Sequence, residues 1–135
     1  MKEFVVNREN AEIEIQRFFD DMDIDSDVSK LDEDDRKGFL ENKEILIGAV
    51  MDGRLVINEN SEPVYTPKRG TPNPLTFREP TGATYMAMDQ KKTGQDVGKM
   101  MALMDAMTKS APGTTAKLAN VDFKVARSIA VLFLA

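Results

Sequence analysis

The sequence predicts a mainly α fold with a small antiparallel β-hairpin or three-stranded meander, an α+β chain of about five helices. Three observations predict it. Apolar residues recur at spacings of three and four near both ends of the chain, a Pro/Gly-rich middle holds short β-branched runs, and apolar density rises toward the last residue. At 135 residues one core is expected. Its parts are an acidic helical head over 1–53, a β-hairpin and connection over 54–80, and a three-helix region over 81–135, all in one compact domain.

Asn7 is placed to cap a first helix over 8–21, with Glu9 in its first turn and Ala11, Ile15, Phe18, Phe19 and Met22 as its apolar stripe. Residues 1–6 fit a short edge strand or a frayed end. Asp32 caps a second helix that buries Phe39, Leu40, Leu46, Ile47 and Val50 and stops at Asp52-Gly53. Runs 54–57 and 64–66 flank a polar turn and predict a hairpin, with Pro63 placing its strand at an edge or keeping the pairing short. Residues 75–77 can return as a third strand.

Thr81, after Pro80, caps a short helix over 82–90 that ends in Lys91, Lys92 and Gly94. Val97, Met100, Met101, Leu103, Met104 and Met107 then define an amphipathic helix over 95–109, stopped by Ser110-Ala-Pro-Gly113. The last helix, from Asn120, is apolar on two faces, Val121, Val125, Ile129 and Leu132 on one and Phe123, Ala126, Ala130 and Phe133 on another. Such a helix is buried centrally or covered by a partner.

Composition excludes several chemistries. The chain has no cysteine and no histidine, which removes disulfides, thiolate metal sites and every His-based catalytic arrangement. No nucleophile elbow, phosphate-binding glycine loop or HExxH motif occurs. No enzyme and no cofactor are expected. A net charge of −5 argues against nucleic acid, and residues 129–135, the longest apolar run, are too short for a membrane span. No secretory signal pattern is present, so a cytoplasmic location is expected. Charge is uneven: residues 1–35 hold thirteen acidic and four basic side chains, and the remainder is net positive. Copies of such a dipolar chain attract one another head to tail, in a salt-sensitive way.

The acidic loop resembles an EF-hand, with Asp21, Asp23, Asp25, Ser29 and Asp32 at ligand positions and Val28 at the β-branched one. Ser26 stands where that loop wants glycine, and Asp32 replaces the bidentate glutamate. The plain reading is a solvated acidic linker, with calcium binding as the alternative. Met100, Met101, Met104 and Met107, with Ile129, Leu132 and Phe133, form stripes whose default role is core; the sharper reading is a partner groove or self-association surface, because methionine adapts to variable helices. An adaptor module with a Met-rich helical groove, calcium-responsive or not, is therefore one functional reading.

The other comes from a resemblance. Leu75-Thr-Phe-Arg-Glu-Pro-Thr-Gly82, followed by 83–89, 97–107 and the apolar close 125–134, is similar to the tail assembly chaperones of long-tailed, lambda-like bacteriophages. The resemblance covers about sixty residues of the second half, and Arg-Glu-Pro-Thr is its distinctive motif. It implies a strand leading into a small helical bundle. It also implies a non-enzymatic helper that keeps the helical tape measure protein soluble, brings major tail tube protein to it, and self-associates into a ring or spiral. Such a helper acts in the host cytoplasm during virus assembly and is absent from the mature virion. Many members are made in two lengths by a frameshift, and the apolar end here suits the shorter form. Arg78 and Glu79 are then candidates for an intersubunit or structural ion pair.

Overall fold

A computed structural model describes residues 4–70, 73–89 and 96–134. Among these, five α-helices accompany a three-stranded antiparallel sheet. Helix α1, Arg8–Asp21, starts where the Asn7 side chain accepts from Asn10 N–H at 2.8 Å. Ala11, Ile15, Phe18 and Phe19 fall on one face of it and are fully buried. A single 3₁₀ turn, Val28–Lys30, interrupts the acidic loop, which its composition alone marks as an irregular linker. Helix α2, Glu33–Met51, is capped by Asp32, which accepts from Asp35 N–H at 2.8 Å. Phe39, Leu46, Ile47 and Val50 go inward as expected, but Leu40 is 42% exposed. One residue is a turn of about 100°, so burying Phe39 carries Leu40 outward.

The stop after α2 needs glycine for two reasons. Gly53 has φ +78°, and Val5 packs 3.0 Å from where its Cβ would stand. Val5 and Val6 donate to Met51 O at 2.8 and 3.2 Å, satisfying a carbonyl at the end of α2. The entry segment is thus a strap across α2.

Strands β1, Leu55–Ile57, β2, Pro63–Tyr65, and β3, Leu75–Thr76, lie in the order β1-β2-β3 with Leu55 opposite Tyr65 and Tyr65 opposite Leu75. Pro63 therefore opens the central strand, not an edge strand. The pairing tolerates it because proline stands at the first residue, where its missing N–H is least needed, while its carbonyl accepts from Phe77 N–H at 2.8 Å. Leu55, Ile57, Tyr65, Leu75 and Phe77 face the core, and Val56 faces outward. Arg17 of α1 ties down the β1–β2 turn, donating to Ile57 O at 2.7 Å and Asn58 O at 2.9 Å.

Helices α3, Gly82–Asp89, α4, Asp96–Met107, and α5, Asn120–Phe133, complete the chain, with a 3₁₀ turn Thr115–Lys117 before α5. Thr81 stands at the N-cap position of α3 as expected, and its N–H donates to Thr84 Oγ1 at 3.0 Å, the half of a capping box in which the N3 side chain reaches back to the cap. The expected cationic end at Lys91, Lys92 and Gly94 lies outside the described residues. Helix α5 packs against α2 and α4, α1 against α2, and α3 against α4. One buried cluster draws on α1, α2, the sheet, α4 and α5. Phe133 meets Phe18 edge-on at 5.0 Å between ring centroids, which fixes the last turn of α5 onto α1.

Candidate partner-binding cleft

Among the described residues the acidic loop gathers no cluster of three acidic side chains. Each carboxylate of the EF-hand-like pattern for which a bond is seen has a protein donor. Asp21 accepts from Ser61 Oγ, Asp25 from Asp27 N–H at 2.9 Å, and Asp32 caps α2. Asp23 takes a positive φ of 55°. Ser29 is occupied as a donor, its N–H and hydroxyl reaching Asp27 at 3.0 and 2.6 Å, and these bonds hold the Asp27 carboxyl below its ordinary range. Accordingly, millimolar calcium is expected to leave the melting temperature unchanged; a rise reversed by chelator would restore the calcium reading.

What the loop does build is one wall of a cleft. Asp25, Asp27, Asp34 and Asp35 form a rim beside the apolar Leu31, Val131 and Leu134, which keep accessible surface, in a cavity of about 510 Å³ between α2 and the last turn of α5. The acidic head and the apolar close, far apart in the sequence, thus meet at one place. Gly38 lies in the wall, and a Cβ built on it meets nothing within 4 Å. Glycine within a helix costs roughly 0.5–1 kcal/mol relative to alanine. Here it leaves the cleft open. Gly38→Ala is expected to stabilise the fold by about 0.5–1 kcal/mol in chemical denaturation; destabilisation would mean that the space is not open.

The methionine and C-terminal stripes are largely used internally. Met104, Met107, Ile129 and Leu132 are at most 1% exposed, so their surface is covered by this chain's own core and is not presented to a partner as a groove. The physical reason is that α4 and α5 pack on each other and α5 on α2, so the stripes face inward. Leu132 borders the cleft from beneath, with its own surface closed. Met100 and Phe133 are half-buried against the core, and Met101 is half-buried beside a smaller cavity with Ala87 and Gly98. In this half of the chain the exposed large apolar residues among those described are Tyr85, Met86, Val97 and Leu134.

Arg78 is half-buried and Glu79 exposed, and both border a cavity of about 350 Å³ with Thr84 and Lys109. Arg78 N–H donates to Met107 O at 3.1 Å, joining the end of the sheet to the end of α4. Its guanidinium reaches Thr76 O at 3.4 Å. Ion pairs among the described residues are Arg8 with Glu12 and Glu44, and Arg17 with Glu14; neither Arg78 nor Glu79 pairs with another of these residues.

Two buried aspartates go beyond what the sequence predicts. Asp122, fully buried in the first turn of α5, accepts from Tyr65 OH at 2.7 Å, Lys68 N–H at 2.6 Å and Arg69 N–H at 3.1 Å. Burial works against its charge, but these donors and nearby Arg54 outweigh burial and hold the carboxyl below its ordinary range. Asp105 of α4 accepts from Gly113 N–H, Thr115 N–H and Thr115 Oγ1 at 2.8–2.9 Å, fixing the α4–α5 connection. A signal for the first does exist: Asp122 shares a helical face with Val125, Ala126 and Ile129, and a carboxylate on a buried face requires donors.

Lys68, Arg69 and Lys117 are exposed around the start of α5, whereas the acidic rim lies at its other end, about 21 Å away for a 14-residue helix. The charge asymmetry of the sequence becomes a polarity along α5. No helix among the described residues is long and apolar enough to cross a membrane. Comparison with protein-family models, curated proteins and solved structures finds no match.

Proposed function

We propose that this chain is a non-enzymatic assembly chaperone of long-tailed bacteriophages, which holds the helical tape measure protein in soluble form, recruits major tail tube protein to it, and self-associates. The observation that carries the reading is the join at Arg78-Glu79-Pro80-Thr81. There β3 gives way to α3, and α4 and α5 follow as a helical half, the arrangement that the resemblance implies. The cleft between α2 and α5 supports it further, because an exposed tape measure helix needs an apolar groove to cover it. The unequal charge of the net-negative first 35 residues and the net-positive remainder favours self-association into a ring or spiral. On this reading the protein works in the host cytoplasm and leaves before the virion is complete.

Co-expression with the tape measure protein tests the proposal. Soluble tape measure protein that co-purifies with this chain is expected; tape measure protein that stays insoluble and unbound would overturn it.

A further inference from the structure

Resting on that chaperone reading, we infer that the cleft between α2 and the end of α5 selects one chemical class of partner: a basic amphipathic helix, with apolar residues at helical spacing edged by lysine or arginine. The wall contributed by α2 runs from Asp34 through Gly38 to Asn42, about 12 Å or roughly two helical turns. That length matches the two to three anchors, at positions i, i+3 or i+4, and i+7, by which a helix seats in a groove. A cavity of about 510 Å³ gives those anchors room.

Charge decides the sign of the partner. Asp25, Asp27, Asp34 and Asp35 line the rim, and none of them takes part in an ion pair among the described residues. A helix whose apolar stripe is edged by bases brings cations to these carboxylates as its leucines reach the apolar lining; one edged by acids is repelled. The carboxyl end of α5 closes the cleft, and its backbone dipole adds to the negative field.

A second copy of this chain does not fit this chemistry. Helix α1 offers Ile13 near Glu9 and Glu12, α3 offers Tyr85 and Met86 with Asp89 as its charged residue, α2 offers Leu40 among both bases and acids, and α4 offers Val97 near Lys99 as a single exposed apolar residue without a stripe. No described helix presents an exposed apolar stripe edged by bases. The occupant is therefore a different chain, and self-association uses other surfaces.

Gly38 marks the cleft as a place kept open. A Cβ at this position meets none of the chain's own atoms within 4 Å, so Gly38→Leu is expected to project into the cleft while favouring α2. This separates occupancy from folding.

The test uses the whole chain and labelled model peptides of roughly eighteen residues, about five turns. One has leucine at helical spacing with lysine elsewhere, a second has glutamate in place of lysine, and a third scrambles the leucines of the first. Fluorescence anisotropy is expected to show one-to-one binding of the Leu/Lys helix only. Affinity is expected to fall about tenfold when salt is raised to about 0.3 M, and about as much in the Asp34→Asn, Asp35→Asn double variant. Gly38→Leu is expected to abolish binding while melting no lower than the parent.

The inference is overturned if the Leu/Glu or scrambled peptide binds as tightly, or if folded Gly38→Leu binds the Leu/Lys peptide undiminished. It is also overturned if light scattering shows that the cleft is filled by a second copy, released by Gly38→Leu. Should Gly38→Leu not fold, the Asp34→Asn, Asp35→Asn variant decides alone, by losing the Leu/Lys peptide or keeping it. Binding of the Leu/Lys helix without capture of the tape measure protein supports the cleft chemistry and overturns the chaperone reading. Capture without Leu/Lys binding does the reverse.

Discussion

Asp122→Ala is expected to destabilise the fold by about 3–5 kcal/mol, read from urea denaturation. The substitution deprives Tyr65 OH and the N–H groups of Lys68 and Arg69 of a shared charged acceptor at the buried start of α5. Hydrogen bonds to charged groups contribute roughly 1.5–3 kcal/mol each, and water can replace part of those at the exposed Lys68 and Arg69. A loss under about 1 kcal/mol would mean that Asp122 does not pin the β2–β3 connection to α5.

The same pair shapes the pH profile. Asp122 is held below its ordinary range despite burial, so its stabilising effect is complete above the unfolded carboxylate value near 4 and is lost as pH falls from there through the folded value. Burial, and then the bond to Asp122, raise the Tyr65 phenol. Its contribution is complete below the unfolded phenol value near 10 and is lost as pH rises beyond it. Between these limits the pair contributes a constant amount. Asp122→Asn should flatten the acid limb of the stability profile; an acid limb unchanged by that substitution would assign it to other carboxylates.

Met104→Ala is the second large effect, about 2–5 kcal/mol, because deleting a fully buried methionine leaves a cavity in the cluster shared with Leu103, Met107 and Ile129. The expected phenotype is a lower melting temperature. Met101→Ala, at a half-buried position, should cost less. If Met104→Ala left stability intact but abolished partner binding, the methionine stripe would be a groove after all.

The elements are legible in the sequence because their signals are local. Helix caps at Asn7 and Asp32, the Asp52-Gly53 stop and the spacing of Ala11, Ile15, Phe18 and Phe19 are each decided within a few residues. Signals that depend on direction or distance are not. Spacing counts the carboxylates from Asp21 to Asp32 but cannot say that Asp32 points along α2 and Asp21 toward Ser61. Helical periodicity identifies the apolar faces of α4 and α5 without saying whose atoms cover them. Pro63 looks like an edge residue because the third strand, coming after a Pro/Gly-rich connection, pairs beyond it. The cleft is hidden for the same reason: Asp34 and Gly38 meet Val131 and Leu134 only once α5 packs on α2.

On the proposed reading a helical partner lies in the cleft between α2 and the end of α5. The most direct measurement of this is photo-crosslinking of the complex with the tape measure protein, using a photoreactive side chain introduced at Asp35 on the cleft rim or at Met86 on the exposed face of α3. Adducts from position 35 and none from position 86 are the predicted result. Adducts from position 86 with none from position 35 would place the partner on α3 and contradict the account.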